Sequence, residues 1–223
     1  MKKRLKSFAA ILFALITTFS FAAAASGSCE VFYFQAGAND LGPGGTASIT
    51  SSLRGLGYTV NRYADTHAYY VRRTMNADKV FAIVAHGLPG RVYCADDTFV
   101  SAQMVLNDDL CYSLAANFSN NAFNSMKFAY YGSCYSATTD STYGNLLSYT
   151  TSTLGAKSAL GFNDSVYNNC ATYFETDLFK NLANGNTVYG AAAIAKTNTY
   201  NAYGTYGKVD SCRITGSSST TIT

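Results

Sequence analysis

Two unbroken apolar runs place the tightest limit on how this chain can fold. Val80-Phe-Ala-Ile-Val-Ala85 holds six consecutive apolar residues between Lys79 and a His86-Gly87 turn, and Phe128-Ala-Tyr-Tyr131 follows Lys127 and ends at Gly132-Ser133-Cys134. A strand with one solvated face alternates apolar and polar residues, whereas a strand covered on both faces reads as a continuous apolar run. Both segments are therefore expected to be interior strands of a parallel sheet with helices on either side.

The remaining sequence supplies those helices and further strands. Glu30–Phe34, Tyr58–Arg62 and Ser158–Phe162 have strand character, and a last strand is expected near Val209–Ile214. Helical patterns cover 46–55, 66–75, 103–118 and 142–154, the last with Asp140 or Ser141 as its cap. Ala171, Phe174, Leu178 and Leu182 fall on one face of a helix over Cys170–Ala183 that stops at Gly185, and Thr187 caps another. Residues 91–101 read as a small hairpin or loop excursion with Asp96-Asp97 in its turn. Strand and helix alternate to the end, which predicts an α/β three-layer sandwich with a mainly parallel central sheet.

The N-terminus changes how charge is read. Residues 1–25 run from basic (Lys2, Lys3, Arg4, Lys6) through apolar to small, the order of an export signal cleaved after Ala25. The whole chain has 16 basic and 13 acidic residues, but four of the basic ones lie in that segment. The rest is near neutral, so no nucleic-acid partner is expected, nor a membrane once the signal is removed. Residues 26–215 form one expected domain, and 216–223, rich in Gly, Ser and Thr, a flexible tail. The chain is accordingly expected to be secreted or extracytoplasmic. Six cysteines in an exported chain suggest disulfides, with Cys94–Cys111 and Cys170–Cys212 as candidate pairs.

In an open parallel sheet, ligands bind beyond the carboxyl ends of the strands. His86 directly follows the first apolar run and Cys134 lies just past the second, so both are expected at the same sheet edge. A thiol and an imidazole together provide a nucleophile and a proton carrier for the leaving group. The other histidine, His67, sits in a Tyr-rich stretch and reads as a surface or packing residue and not as part of a site. No cofactor is expected, and metal binding is disfavoured by the lack of His-x-x-x-His and Cys-x-x-Cys spacing. Around Ser133 the glycines of a serine nucleophile elbow are replaced by Tyr131 and Tyr135.

The segments VFAIVAHG (80–87) and KFAYYGSCYSA (127–137) resemble the two signature blocks of the caspase-like clan of cysteine peptidases, which includes caspases, metacaspases, gingipains and legumains. The stretch 159–197 looks like the region after the nucleophile in bacterial members. This resemblance implies a caspase-like fold, a bacterial secreted cysteine endopeptidase, and a peptide or protein substrate. It also implies Cys134 as nucleophile, His86 as general acid, and the backbone N–H groups of Gly87 and Cys134 as oxyanion donors. Asn163 and Asp164, just past a strand end, are candidates for the substrate pocket, with a helix N-cap as the other reading of Asp164. Two further readings stand beside the enzyme: an inactive caspase-like secreted binding module, and a disulfide-stabilised domain in which Cys134 is bridged.

Overall fold

The computed structural model describes residues 25–34 and 43–223. Its central sheet has six strands: β1 (Ser28–Tyr33), β2 (Thr59–Ala64), β3 (Asp78–Val84), then β8 (Phe128–Gly132), β9 (Ser158–Phe162) and β10 (Cys212–Gly216). They are arranged β2-β1-β3-β8-β9-β10, all parallel except β10, which runs antiparallel to β9. The two apolar runs are thus adjacent central strands, β3 and β8, as a run covered on both faces requires.

Side-chain alternation divides the core in two. Val80, Ala82 and Val84 of β3, with Phe128 and Tyr130 of β8, point to a face covered by α1 (Pro43–Gly55), α4 (Asn168–Ala183) and α5 (Val188–Tyr203). Phe81, Ile83, Ala129 and Tyr131 point the other way, toward α2 (Ala68–Thr74) and α3 (Leu146–Ser148), which continues as a π-helical turn over Tyr149–Thr153. Helices on both faces of a mainly parallel sheet make the expected three-layer α/β sandwich. Thr187 caps α5 by accepting from the Gly190 N–H at 3.1 Å, as its position predicts.

Between β3 and β8 the chain builds a second, four-stranded sheet: β4 (Gly87–Leu88), β5 (Arg91–Tyr93), β6 (Phe99–Ser101) and β7 (Cys111–Ser113). Asp96 and Asp97 take positive φ of 58° and 57° in the β5–β6 turn, a conformation that Asp tolerates better than most residues.

Several expectations are corrected. The predicted helix over 103–118 does not form. Asn107 adopts φ 64° and Asp108 Oδ1 accepts from the Leu110 N–H at 3.2 Å, a side-chain turn that competes with helical bonding. The segment then pairs as β7. The helix over 142–154 starts late, because Asp140 Oδ1 holds the N–H groups of Thr142 and Tyr143 in a turn, and Asn145 is the cap instead. Residues 216–223 dock instead of fraying: Ile222 is buried, Tyr58 donates its hydroxyl to the Ile222 carbonyl at 2.6 Å, and the Val188 N–H donates to the Thr220 carbonyl at 2.8 Å.

Neither expected disulfide is formed; all six cysteines are free. Each has its own surroundings: the Cys111 thiol meets the Ser101 hydroxyl at 3.1 Å, and that of Cys170 donates to Asn169 Oδ1 at 3.4 Å. The expected export signal lies, apart from Ala25, outside the described residues. Among the described residues no helix is long and apolar enough to cross a membrane.

Candidate active site

The register of β3 against β8 decides what meets at the carboxyl edge. Val84 pairs with Gly132, so both chains leave the sheet at the same level. The Ala85 N–H donates to the Gly132 carbonyl at 3.3 Å, and Ser133 Oγ donates back to the Ala85 carbonyl at 2.8 Å. These bonds hold the His86-Gly87 turn against Ser133-Cys134. Contact is tight enough that only glycine fits at position 87: a Cβ there would overlap the Cys134 carbonyl oxygen and lie 2.5 Å from Ser133 Oγ.

His86 is exposed and Cys134 half-buried, and both line one cavity of about 390 Å³. The Val166 N–H donates to Cys134 Sγ at 3.3 Å, and the thiol donates to the Val166 carbonyl at 3.8 Å. Val166 lies two residues ahead of α4, whose first-turn amides carry partial positive charge. After Cys134 the chain turns sharply: Tyr135 has φ 57°, and Ser136 Oγ donates to the Tyr131 and Ser133 carbonyls and accepts from the Phe162 N–H. This network clamps the Cys134 turn to β9.

Gly87 has an amide that the small sheet does not use. Tyr93 N–H donates to the His86 carbonyl at 2.9 Å, which makes Gly87 and Val92 a pair without mutual hydrogen bonds. The Gly87 N–H therefore points out of the ladder. The Cys134 N–H has no backbone acceptor among the described residues.

Burial separates Cys134 from most other thiols. It pushes those of Cys29 and Cys212 up to about 12 and that of Cys94 higher, so these three remain protonated and shielded. His67 packs as expected: its Nδ1 accepts from the Tyr69 N–H at 3.1 Å to cap α2, and its ring meets Tyr112 edge-on. Among the described residues no group of three or more His, Cys, Asp or Glu is placed to hold a metal ion.

Asn163 and Asp164, the expected pocket residues, do not line the cavity. With its amide oriented by its neighbours, Asn163 donates to the Ala137 carbonyl and accepts from Arg213 Nε. Asp164 is not a helix cap, since Tyr167 holds the cap position of α4. Its carboxylate accepts from the Ser165 N–H at 2.7 Å and faces Lys208 at 3.3 Å, and these partners hold it below the usual carboxylate range.

The far wall comes from Val166, Tyr167, Asn168, Ala171 and Glu175 instead. Glu175 is legible in hindsight. It is four residues after Ala171, three before Leu178 and seven before Leu182, in phase with the apolar face of α4.

No family model matches this sequence, and no curated protein matches it. Among solved structures the chain is similar to gingipain R, an Arg specific cysteine proteinase, with a TM-score of 0.59 and 12% identity. The match covers 87% of this chain and 47% of that one, so the chain spans about half the length of that proteinase. The fold is caspase-like: a mainly parallel six-stranded sheet with helices on both faces.

Proposed function

We propose that this chain is an exported cysteine endopeptidase that cuts peptide bonds with Cys134 as nucleophile and His86 as proton carrier. The observation that carries the reading is the convergence of His86-Gly87 and Ser133-Cys134 on one cavity at the carboxyl edge of β3 and β8. That edge is where an open parallel sheet puts its chemistry. Export rests on the sequence of residues 1–25 alone.

In this mechanism the Cys134 thiol gives its proton to the His86 imidazole, and the sulfur attacks the scissile carbonyl carbon. The carbonyl π electrons move to oxygen, where the Gly87 and Cys134 N–H groups stabilise the negative charge. Collapse of this intermediate breaks the C–N bond, and the departing amine takes the proton from the imidazolium. Water then attacks the thioester, giving one proton to His86. As the C–S bond breaks, that proton returns to sulfur and the product leaves as a carboxylic acid, which loses its remaining proton to water.

A peptide-library digest with the wild type, Cys134→Ala and His86→Ala tests this. Loss of the nucleophile is expected to lower turnover by about 10⁴-fold or more. Equal cleavage by all three proteins means the site is elsewhere. A wild type that cuts nothing, with a free Cys134, favours the binding-module reading.

A further inference from the structure

The cavity that holds His86 and Cys134 carries another ionisable side chain, Glu175, which the dyad does not use. Glu175 lies on the apolar face of α4 and is 0% exposed. Such positions normally carry hydrocarbon, because burying a polar group that is not fully hydrogen-bonded is unfavourable. Oε1 accepts from the Tyr130 hydroxyl at 3.0 Å, but Oε2 has no hydrogen-bond partner. No Lys or Arg among the described residues pairs with it.

The surrounding backbone makes room for this carboxyl. A Cβ on Gly132, two residues before Cys134, would lie 2.8 Å from Glu175 Oε1, and a Cβ on Gly45 of α1 would overlap Oε2. Two glycines thus flank a buried acid, and the cavity beside it has apolar walls from Val84, Phe162, Val166 and Ala171. An apolar slot with one buried acid suits a side chain with a hydrocarbon stem and a cationic head.

We propose that Glu175 makes the enzyme select Lys or Arg at the residue before the scissile bond. The assignment rests on the peptidase reading, since attack by Cys134 fixes that residue's carbonyl at the cavity mouth and directs its side chain inward. A cationic head in the cavity supplies the charge partner that the carboxyl lacks, on the side where Oε1 faces Gly132. A neutral side chain brings no charge to partner the carboxyl, and an acidic one must bury a second carboxyl in the apolar slot with no cation beside it, so the site favours neither. Burial pushes the Glu175 carboxyl up to about 8, so in the free chain it is protonated at neutral pH. Entry of a cation favours the carboxylate, and binding releases a proton.

Two measurements test the proposal, and one needs no turnover. Calorimetry on Cys134→Ala with agmatine, an alkyl guanidinium, is run at pH 7 in buffers of different ionisation enthalpy. Binding with release of about one proton is expected, and adding Glu175→Gln should weaken it about 10²-fold and remove the proton signal. Separately, the wild type is assayed on fluorogenic peptides varied only at the residue before the reporter. A Lys or Arg preference of about 10²-fold over Leu and Asp is expected, and Glu175→Gln should collapse that ratio. Cleavage after uncharged residues by the wild type overturns the assignment and leaves the peptidase reading intact, whether or not the variant folds. No cleavage, with agmatine binding that depends on Glu175, supports the cation pocket and overturns the peptidase reading. Absence of both agmatine binding and a basic preference overturns the assignment.

Discussion

Replacing Glu175 by Gln should change how stability depends on pH, independently of any substrate. The substitution keeps the side chain's size and leaves an amide oxygen to accept from the Tyr130 hydroxyl. What it removes is a titration. The carboxyl ionises near 4.5 in an unfolded chain and near 8 in the fold, where burial penalises its charged form. Between these values the native state keeps a proton that the unfolded state has lost. The stability this group contributes is therefore complete below 4.5 and is lost as pH rises through about 8. At about 1.4 kcal/mol per pH unit, the window has an upper bound of about 5 kcal/mol. Asp78, raised to about 9 by burial and by the neighbouring Glu30 charge, adds a slope of the same sign. It is present in both proteins and cancels from their difference. Urea unfolding of the pair from pH 5 to 9 reads that difference directly. The two curves should be close at pH 5 and several kcal/mol apart by pH 8.5, with Glu175→Gln the more stable. Curves that run parallel across the range refute the idea of a buried, protonated Glu175.

Gly87→Ala should cost about 1–3 kcal/mol, because its Cβ would overlap the Cys134 carbonyl, and peptide cleavage should fall further than thermal stability explains. Tyr58→Phe removes the hydroxyl that holds the Ile222 carbonyl and should cost about 1 kcal/mol in chemical denaturation. A Tm equal to the wild type's would mean the C-terminal residues contribute nothing at this contact. Iodoacetamide, followed by mass spectrometry without reductant, should modify Cys134 and Cys111 in the native protein and all six cysteines after unfolding. Cys29, Cys94 and Cys212 should stay protected until then, and a pair that resists alkylation in denaturant would reveal a disulfide.

The central architecture was legible because its signals are local. An interior parallel strand must be apolar at every position, so β3 and β8 stand out, and their ends locate His86 and Cys134 without knowledge of any contact. The segment 103–118 misled because its apolar residues suit a helix, while Asn107 and Asp108 offer the backbone a competing turn. Asn163 and Asp164 lie just past β9 as expected, yet Asn163 is engaged by Ala137 and Arg213 and Asp164 by Ser165 and Lys208, and neither lines the cavity. The tail looked too polar to order, and a single apolar residue, Ile222, finds a complete pocket.

Helical phase alone assigns Glu175 to the buried face of α4, so the sequence by itself determines that this chain buries an acid there. It cannot say what the acid meets, because a helix's own periodicity carries no information about the surface packed against it. Gly45 is 130 residues earlier in the chain, Gly132 and Tyr130 sit on a strand about 40 residues earlier, and all three meet the carboxyl only once the sheet and helices assemble, with Gly132 also lining the cavity of Cys134. Only the tertiary structure decides that one oxygen of this carboxyl is left without a partner beside the cavity of His86 and Cys134.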